Sequence, residues 1–376
     1  LNIPKSGPYA SDVEMQERGY QLAIEKINAN GGILGKEVEY VVKDTAGNPK
    51  QAARNSMELI KKHRADMISG GSSSSVAIAQ SKVAQKSGVV FFTAQALSSM
   101  VTGFQKTETG FKGQMAHRHT FRWYFNDWMI QKALISFLVD NFDQDAKYFY
   151  ISADYITGYS LEKSMSEGIG VQGGETVGSV KTPLGTEDFS QAIAEAEASG
   201  ADVLVLNLFG WDFIHCMKQI QEAGLHESVQ IVVPMLNLEP ASQAMGKVGI
   251  DQEVLQEMYV AAPWYHGLKD RYEGSREFVQ TFKDKYGMPP DLNAACGWVA
   301  VHEWAAAVER AGTTDASEVI PELEGHSFNL LKGEETWRSW DHQAVGDVYI
   351  LKGTPPEEME DEYDAFRVVE EVPGSE

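Results

Sequence analysis

The residues best placed to do chemistry are Gly70-Gly71-Ser72-Ser73-Ser74-Ser75-Val76-Ala77. They follow a short apolar run, Asp66-Met67-Ile68-Ser69, that reads as a buried strand. They lead into Val76, Ala79 and Val83, which share one face of a helix. A strand, a small-residue turn and a helix start therefore meet at a row of hydroxyls. Glycine lets a ligand approach the backbone, and a helix N-terminus offers unpaired N–H groups at the positive end of a dipole. Such a turn can seat a carboxylate or a similar polar group. An ordinary capped helix explains the same serines, because Ser is a favoured N-cap residue.

Other constellations are weaker. Gly31-Gly32-Ile33-Leu34-Gly35-Lys36 is too short for a phosphate loop and precedes a strand. There is no G-x-S-x-G elbow, and His226-Glu227 and His302-Glu303 lack the second histidine of H-E-x-x-H. His117 and His119 have no neighbouring Cys or carboxylate to complete a metal set. No catalytic residue, metal ligand or cofactor is expected, and nothing requires an enzyme.

The elements that position the hydroxyl row alternate. Met15, Gly19, Leu22, Ala23 and Ile27 share a helical face, which Asn30-Gly31-Gly32 stops. Glu37 to Asp44 reads as a strand, and Ala53, Met57 and Ile60 as the apolar face of a helix begun near Pro49. The Ile68 strand, the Val76 helix and Val89–Phe92 complete a βαβαβ run, hence a parallel sheet covered on both faces. The pattern restarts at Tyr148–Ile151. A helix from about Tyr159, a strand at Val177 and a helix through Phe189, Ile193 and Ala196 follow. Next come the uncharged strand Val203–Leu206, a helix over Trp211–Ala223 and the strand Ile231–Val233. Tyr259–Trp264 reads as a strand. Ala294, Trp298, Val301, Ala305 and Val308 mark a long helix ended by Ala311-Gly312, and Asp347–Leu351 is a last strand. The fold class is α/β, with two similar lobes.

Length and charge narrow the function. A chain of 376 residues suits two domains, and 43% hydrophobic with 23% charged residues is a globular composition. A formal charge of −22 argues against nucleic acid or anionic membrane as a partner. Nine acidic residues and one basic one lie between Thr354 and Glu376, which reads as a solvated surface segment in which Tyr363, Phe366, Val368 and Val369 could pack. No apolar run is long enough for a membrane helix. Leu1-Asn2-Ile3-Pro4 has no basic and apolar signal character, so any export signal is expected to have been removed. Cys216 and Cys296 lie in separate predicted helices and are expected to be free core thiols.

Ser6-Gly7-Pro8-Tyr9-Ala10, Gly19–Ile24, Ile27–Gly35 and Asp44 together resemble the leucine/isoleucine/valine-binding protein family, the type I periplasmic solute-binding proteins of ABC importers. The Gly70–Ala77 row, Asp154–Ser160, Phe189, Gln219–Gly224 and Trp340–Gln343 resemble it in the same order. The resemblance implies two Rossmann-like lobes with parallel sheets joined by three crossovers. The N-terminal lobe would be 1–120 plus 258–335, and the C-terminal lobe 121–257 plus 336–376. It implies a small solute held in the cleft by hinge closure, export from the cytoplasm, a monomer, and the membrane permease subunits of a transporter as partner. Carried over residue by residue, Ser74 meets the ligand carboxylate, with Ser73 and Ser75 as register alternatives. Gln95 and Ala96 form the next ligand loop. Tyr155 or Thr157 faces them from the second lobe, Phe209 and Trp211 supply aromatic contact, and Tyr9 belongs to the opening loop.

One departure bears on the ligand. Amino-acid binders of this family are expected to place an acidic residue after the strand at Ile231–Val233, where it pairs with an ammonium. Here Leu236 or Asn237 takes that place; Glu239, further along, or Asp12, which stands where the resemblance puts an aromatic wall, could compensate. A buried ammonium without a counter-charge costs several kcal/mol. A carboxylate or amide with an apolar, even aromatic, body is therefore expected ahead of a branched-chain amino acid, with Trp211 and Trp264 as flat walls. A hydrophobic amino acid remains an alternative ligand, and a sensor domain of the same fold an alternative function.

Overall fold

The computed structural model of the chain describes residues 1–6, 13–102, 104–107, 110–113, 118–143 and 145–374. The chain forms two compact units and passes between them three times: Leu1–Asn126 with Leu268–Gly346, and Asp127–Gly267 with Asp347–Glu376.

The first unit begins with β1 (Asn2–Ile3), α1 (Val13–Ala29), β2 (Lys43–Asp44), α2 (Pro49–Lys61), β3 (Met67–Gly70), α3 (Ser74–Ser87) and β4 (Val90–Thr93). A hairpin, β5 (Phe104–Thr107) with β6 (Gly110–Gly113), precedes β7 (Thr120–Arg122). Strands β2-β1-β3-β4-β7 make one parallel sheet.

Two expectations fail in this sheet. The strand foreseen over Glu37–Asp44 is only two residues long, because its partner β1 ends at Pro4 after two residues; Tyr40 and Val41 are exposed. The buried face of α2 is Ala52, Asn55, Ser56 and Leu59, while Met57 faces solvent. Polar bonds turn it this way. The Asn2 amide donates to the Ala52 carbonyl (2.8 Å) and Ser56 Oγ (3.0 Å), and Asn55 Nδ2 donates to the Asp44 carbonyl (2.8 Å). Buried amides so satisfied dock two strands too short to hold by ladder bonds alone.

The second unit carries α4 (Asp127–Asn141), β8 (Lys147–Ala153), α5 (Ile156–Val171), β9 (Glu175–Thr182), α6 (Ser190–Ser199), β10 (Val203–Asn207), α7 (Gly210–Ala223), β11 (Gln230–Val233), α8 (Leu238–Lys247), α9 (Gln252–Leu255) and β12 (Met258–Ala262). The chain then returns to the first unit as α10 (Glu273–Tyr286), α11 (Leu292–Ala311), α12 (Ala316–Leu323) and the small antiparallel sheet β13 (Ser327–Phe328), β14 (Glu335–Trp337) and β15 (Ala344–Val345). It closes in the second unit with β16 (Val348–Gly353) and β17 (Phe366–Val372), which join its sheet in the order β17-β16-β12-β11-β10-β8-β9.

The lobe boundaries thus need correction. Residues 258–267 belong to the second unit because β12 pairs with both β11 and β16. Residues 121–126 and 336–346 belong to the first, where β7 pairs with β4 and β15 with β14. The acidic tail is not simply solvated either. Its β17 pairs antiparallel with β16 and buries Phe366 and Val372, while Arg367 and Glu371 are exposed.

Helix packing is close where glycine allows it. A Cβ on Gly19 of α1 would lie 2.1 Å from the Ala294 carbonyl oxygen of α11. The foreseen face of α11 is buried throughout, Asp291 caps its start (2.8 Å to the Ala294 N–H), and Gly312 ends it at φ +69°. No helix among the described residues is long and apolar enough to cross a membrane.

Candidate functional site

In the first unit, β3 and β4 run parallel with Gly70 beside Thr93, and both lead into turns at their carboxyl ends. The turn after β3 needs its glycines. Gly70 (φ +148°) would put a Cβ 2.1 Å from the Asn2 carbonyl, and Gly71 (φ +83°) one 3.0 Å from both Ala77 Cβ and Thr93 Oγ1. The backbone then extends at Ser73, the N-cap of α3, whose hydroxyl makes no cap bond. The first-turn N–H groups of α3 are thereby left to solvent or ligand. Ser72, Ser73 and Ser74 are buried, whereas Ser75 is exposed, so the three register alternatives are not equivalent.

Ser74 Oγ accepts the Ser98 N–H (3.1 Å), which leaves its own proton to donate elsewhere. Ser72 Oγ and Thr93 Oγ1 are buried without a hydrogen-bond partner. A polar group bound at this turn would satisfy both hydroxyls. Gln95, half-buried in the turn after β4, donates through Nε2 to Asn293 Oδ1 at the start of α11. Ala96 is fully buried, and Arg122 Nη1 holds its carbonyl at 2.9 Å, so that oxygen faces the protein.

In the second unit the expected residues again gather at carboxyl ends of parallel strands. Tyr155 is the N-cap of α5 after β8, and Thr157 lies in its first turn; both are half-buried. Phe209, half-buried, is the N-cap of α7 after β10, and Trp211 is 59% exposed, its ring against His215. Asn237 is the N-cap of α8 after β11; neither its Oδ1 nor its Nδ2 has a partner, although both atoms are buried. Leu236 beside it is buried. Asn207 ends β10 opposite Ser152, donates to Ser152 Oγ (3.0 Å) and keeps its Oδ1 unpartnered. Trp264 does not form a wall as expected: it is 1% exposed, part of the core beyond the end of β12. Asp212 has its carboxyl pushed up by burial, against the pull of the Gly185 N–H bond. Tyr9, Asp12, His117 and the side chain of Glu239 lie outside the described residues.

Two parallel-sheeted units with polar side chains and helix starts at strand ends suit capture of a small solute. A family model described as periplasmic binding protein matches residues 1–356. The chain belongs to that family. This periplasmic binding protein is 27% identical over 289 residues to Leu/Ile/Val-binding protein homolog 7 of Brucella abortus, covering 76% of the chain and 70% of the relative. It is 24% identical over 350 residues to an amino acid binding protein of Pseudomonas aeruginosa, covering 93% and 88%. Its fold superposes on the amino acid ABC transporter substrate-binding protein of Pseudomonas fluorescens with a TM-score of 0.89 and 25% identity, covering 99% of this chain and 94% of that one. The type I two-lobed α/β architecture expected from the resemblance is therefore the fold of this periplasmic binding protein, with antiparallel β16 and β17 added to the second sheet.

Sequence reading missed Ser72 as distinct from its neighbours, and missed Thr93, Asn207 and Asn293. Asn207 did carry a signal. A polar residue directly after four apolar ones sits at the carboxyl end of a buried strand, where α/β folds place ligands.

Proposed function

We propose that this periplasmic binding protein is the substrate-binding component of an ABC importer, working outside the cytoplasm as a non-enzymatic monomer. It hands its solute to the transporter's membrane permease subunits. The seat is the start of α3, with Ser74 as the principal hydroxyl donor to a carboxylate or amide. The observation that carries this reading is the pair of buried, unpartnered hydroxyls, Ser72 Oγ and Thr93 Oγ1, beside an uncapped helix N-terminus. Tyr155, Thr157, Phe209, Trp211 and Asn237 are the contacts offered by the second unit.

For the ligand, an organic acid or amide with an apolar body is preferred to a branched-chain amino acid. The names of the relatives favour an amino acid. Against that, a neutral amide, Asn237, stands after β11 with both of its polar atoms unpartnered. An amide accepts one N–H and donates two, which suits a carbonyl, hydroxyl or amide, but it supplies no charge for an ammonium.

Calorimetric titration of benzoate, acetamide, L-leucine and L-valine into the wild-type chain and Ser74→Ala tests both points. Losing a hydrogen bond to a charged group costs about 1.5–3 kcal/mol, so the variant is expected to bind roughly ten- to a hundred-fold more weakly. Unchanged affinity in Ser73→Ala, Ser74→Ala and Ser75→Ala alike would refute the seat. Tight binding of leucine or valine, with benzoate and acetamide silent, would refute the ligand preference.

A further inference from the structure

Arg122, the last residue of β7, is fully buried. Its guanidinium spreads over three segments of the first unit. Nη1 donates to the carbonyls of Ala96 (2.9 Å) and Ser98 (2.6 Å), and Nη2 to Thr102 Oγ1 (3.0 Å). Nε donates to Gln343 Oε1 (2.7 Å). Gln343 is itself fully buried, and its Nε2 lies within bonding distance of the carbonyls of Arg122 (3.1 Å), Tyr124 (3.1 Å) and Ala344 (3.0 Å). On the opposite side, the Ser98 N–H donates to Ser74 Oγ. An unbroken series of bonds thus runs from Ser74 through Ser98, Arg122 and Gln343 to Tyr124 and Ala344. Tyr124 lies just before Asn126, and Ala344 just before Gly346, the residues after which the chain leaves this unit.

We propose that Arg122 is a positioning residue for ligand binding: it fixes the 94–98 turn, and through it the Ser74 hydroxyl, to the two chain segments that lead into the first and third crossovers. The proposal rests on reading Ser72–Ser75 as the ligand seat. Its physical basis is geometric. The Ser74 proton is aimed by what its oxygen accepts, and that donor is Ser98. The Ser98 peptide is held at its carbonyl by Arg122. A planar guanidinium makes several bonds in fixed directions, whereas a lysine ammonium on a flexible stem cannot reach Ala96, Ser98, Thr102 and Gln343 together. Loosening this brace lets the turn drift and scatters the direction of the Ser74 donor, although Arg122 need not touch the ligand.

The test uses the intact chain as wild type, Arg122→Lys and Thr102→Val. Benzoate and L-leucine are the calorimetric probes, and amide hydrogen exchange is followed without ligand. Arg122→Lys is expected to weaken the probe that the wild type binds by roughly tenfold or more, and to speed exchange of the Ser98 amide. Thr102→Val removes a bond of the same guanidinium that does not reach the 94–98 turn, so its affinity is expected to stay within about twofold of wild type. Equal affinity losses in the two variants would reduce the effect to general destabilisation and overturn the proposal. Wild-type affinity with wild-type exchange in Arg122→Lys would overturn it as well. Should Arg122→Lys fail to fold, Gln343→Leu cuts the tie to Tyr124 and Ala344. Its affinity is expected to fall, and an unchanged value overturns the proposal. Unchanged affinity in Ser73→Ala, Ser74→Ala and Ser75→Ala alike refutes the seat instead; the Ser98 exchange rate in Arg122→Lys then decides the brace alone.

Discussion

Replacing Glu303 by Gln is expected to shift stability in the variant's favour as pH rises from acid to above neutral. Glu303 lies on α11 with 5% of its surface exposed, and its Oε2 accepts the indole N–H of Trp337 at 2.9 Å. Burial pushes its carboxyl from 4.5 to about 7; the Trp337 bond and Arg310 pull the other way, and the Glu335 charge adds to the rise. An acid raised on folding holds its proton in the native state while the unfolded chain has already released it. Its contribution is therefore fully present below about pH 4.5, is lost as pH rises through about 7, and stays lost above that. At ~1.4 kcal/mol per tenfold change in proton affinity, the loss across this window amounts to ~3 kcal/mol. Gln keeps an acceptor for Trp337 but places extra amide N–H groups in the core. That cost does not depend on pH, so the informative quantity is how the difference between the two proteins changes with pH. Urea unfolding followed by tryptophan fluorescence, from about pH 4 to about pH 8.5, measures it. The difference is expected to swing by ~3 kcal/mol in favour of Glu303→Gln. A flat difference would refute the reasoning and show that Glu303 ionises in the native protein as it does in the unfolded chain.

Cys216 and Cys296 are free, buried and in different units, and burial raises both thiols. Both are expected to titrate with a thiol reagent after denaturation without reductant and to react far more slowly in the native protein; a count of zero would refute the assignment. Gly19→Ala is expected to lower the urea midpoint, because its Cβ would stand 2.1 Å from the Ala294 carbonyl and overpacking of this kind costs about 1–3 kcal/mol or more. A wild-type midpoint would mean that α1 does not pack against α11 as closely as described.

What was legible in the sequence follows from how each element earns its burial. The strands Val203–Leu206 and Ile231–Val233 are apolar on both faces, and the residues of the long helix recur at helical spacing, so α11, β10 and β11 were readable directly. Strand β1 was not: two residues before a proline have no period to detect, and its place in the sheet is set by the amides of Asn2 and Asn55. The tail was legible only in part: Phe366, Val368 and Val369 marked it as able to pack, but its carboxylates dominate the composition and hide the strand that pairs with β16. In the candidate site, Gly70–Ser75 stood out because glycines and a run of hydroxyls coincide at one turn. Thr93 and Asn207 are single polar residues ending strands, a pattern shared with ordinary capping. Trp264 shows the limit from the other side, since an aromatic residue after a strand reads equally as a pocket wall or as core.

The proposed seat is electrically neutral in a chain of formal charge −22. From Gly70 to Ser81 there is no charged side chain, the first being Lys82, two turns into α3. Attraction for an anion at this place must come from the helix start, equivalent to about half a positive charge, and from hydroxyl donors. Those terms act within one turn, whereas repulsion from exposed carboxylates is screened beyond ~8 Å at physiological salt. An anion close enough to bond to Ser74 therefore experiences the dipole more than the acidic surface. Dipoles also discriminate less sharply than a full counter-charge between a carboxylate and a neutral carbonyl, because both accept the same N–H and O–H bonds. Selectivity is then left to the body of the ligand. On the proposed reading, a ligand ammonium would have to be stripped of water without receiving a charge in return, which disfavours a zwitterion against an organic acid or amide.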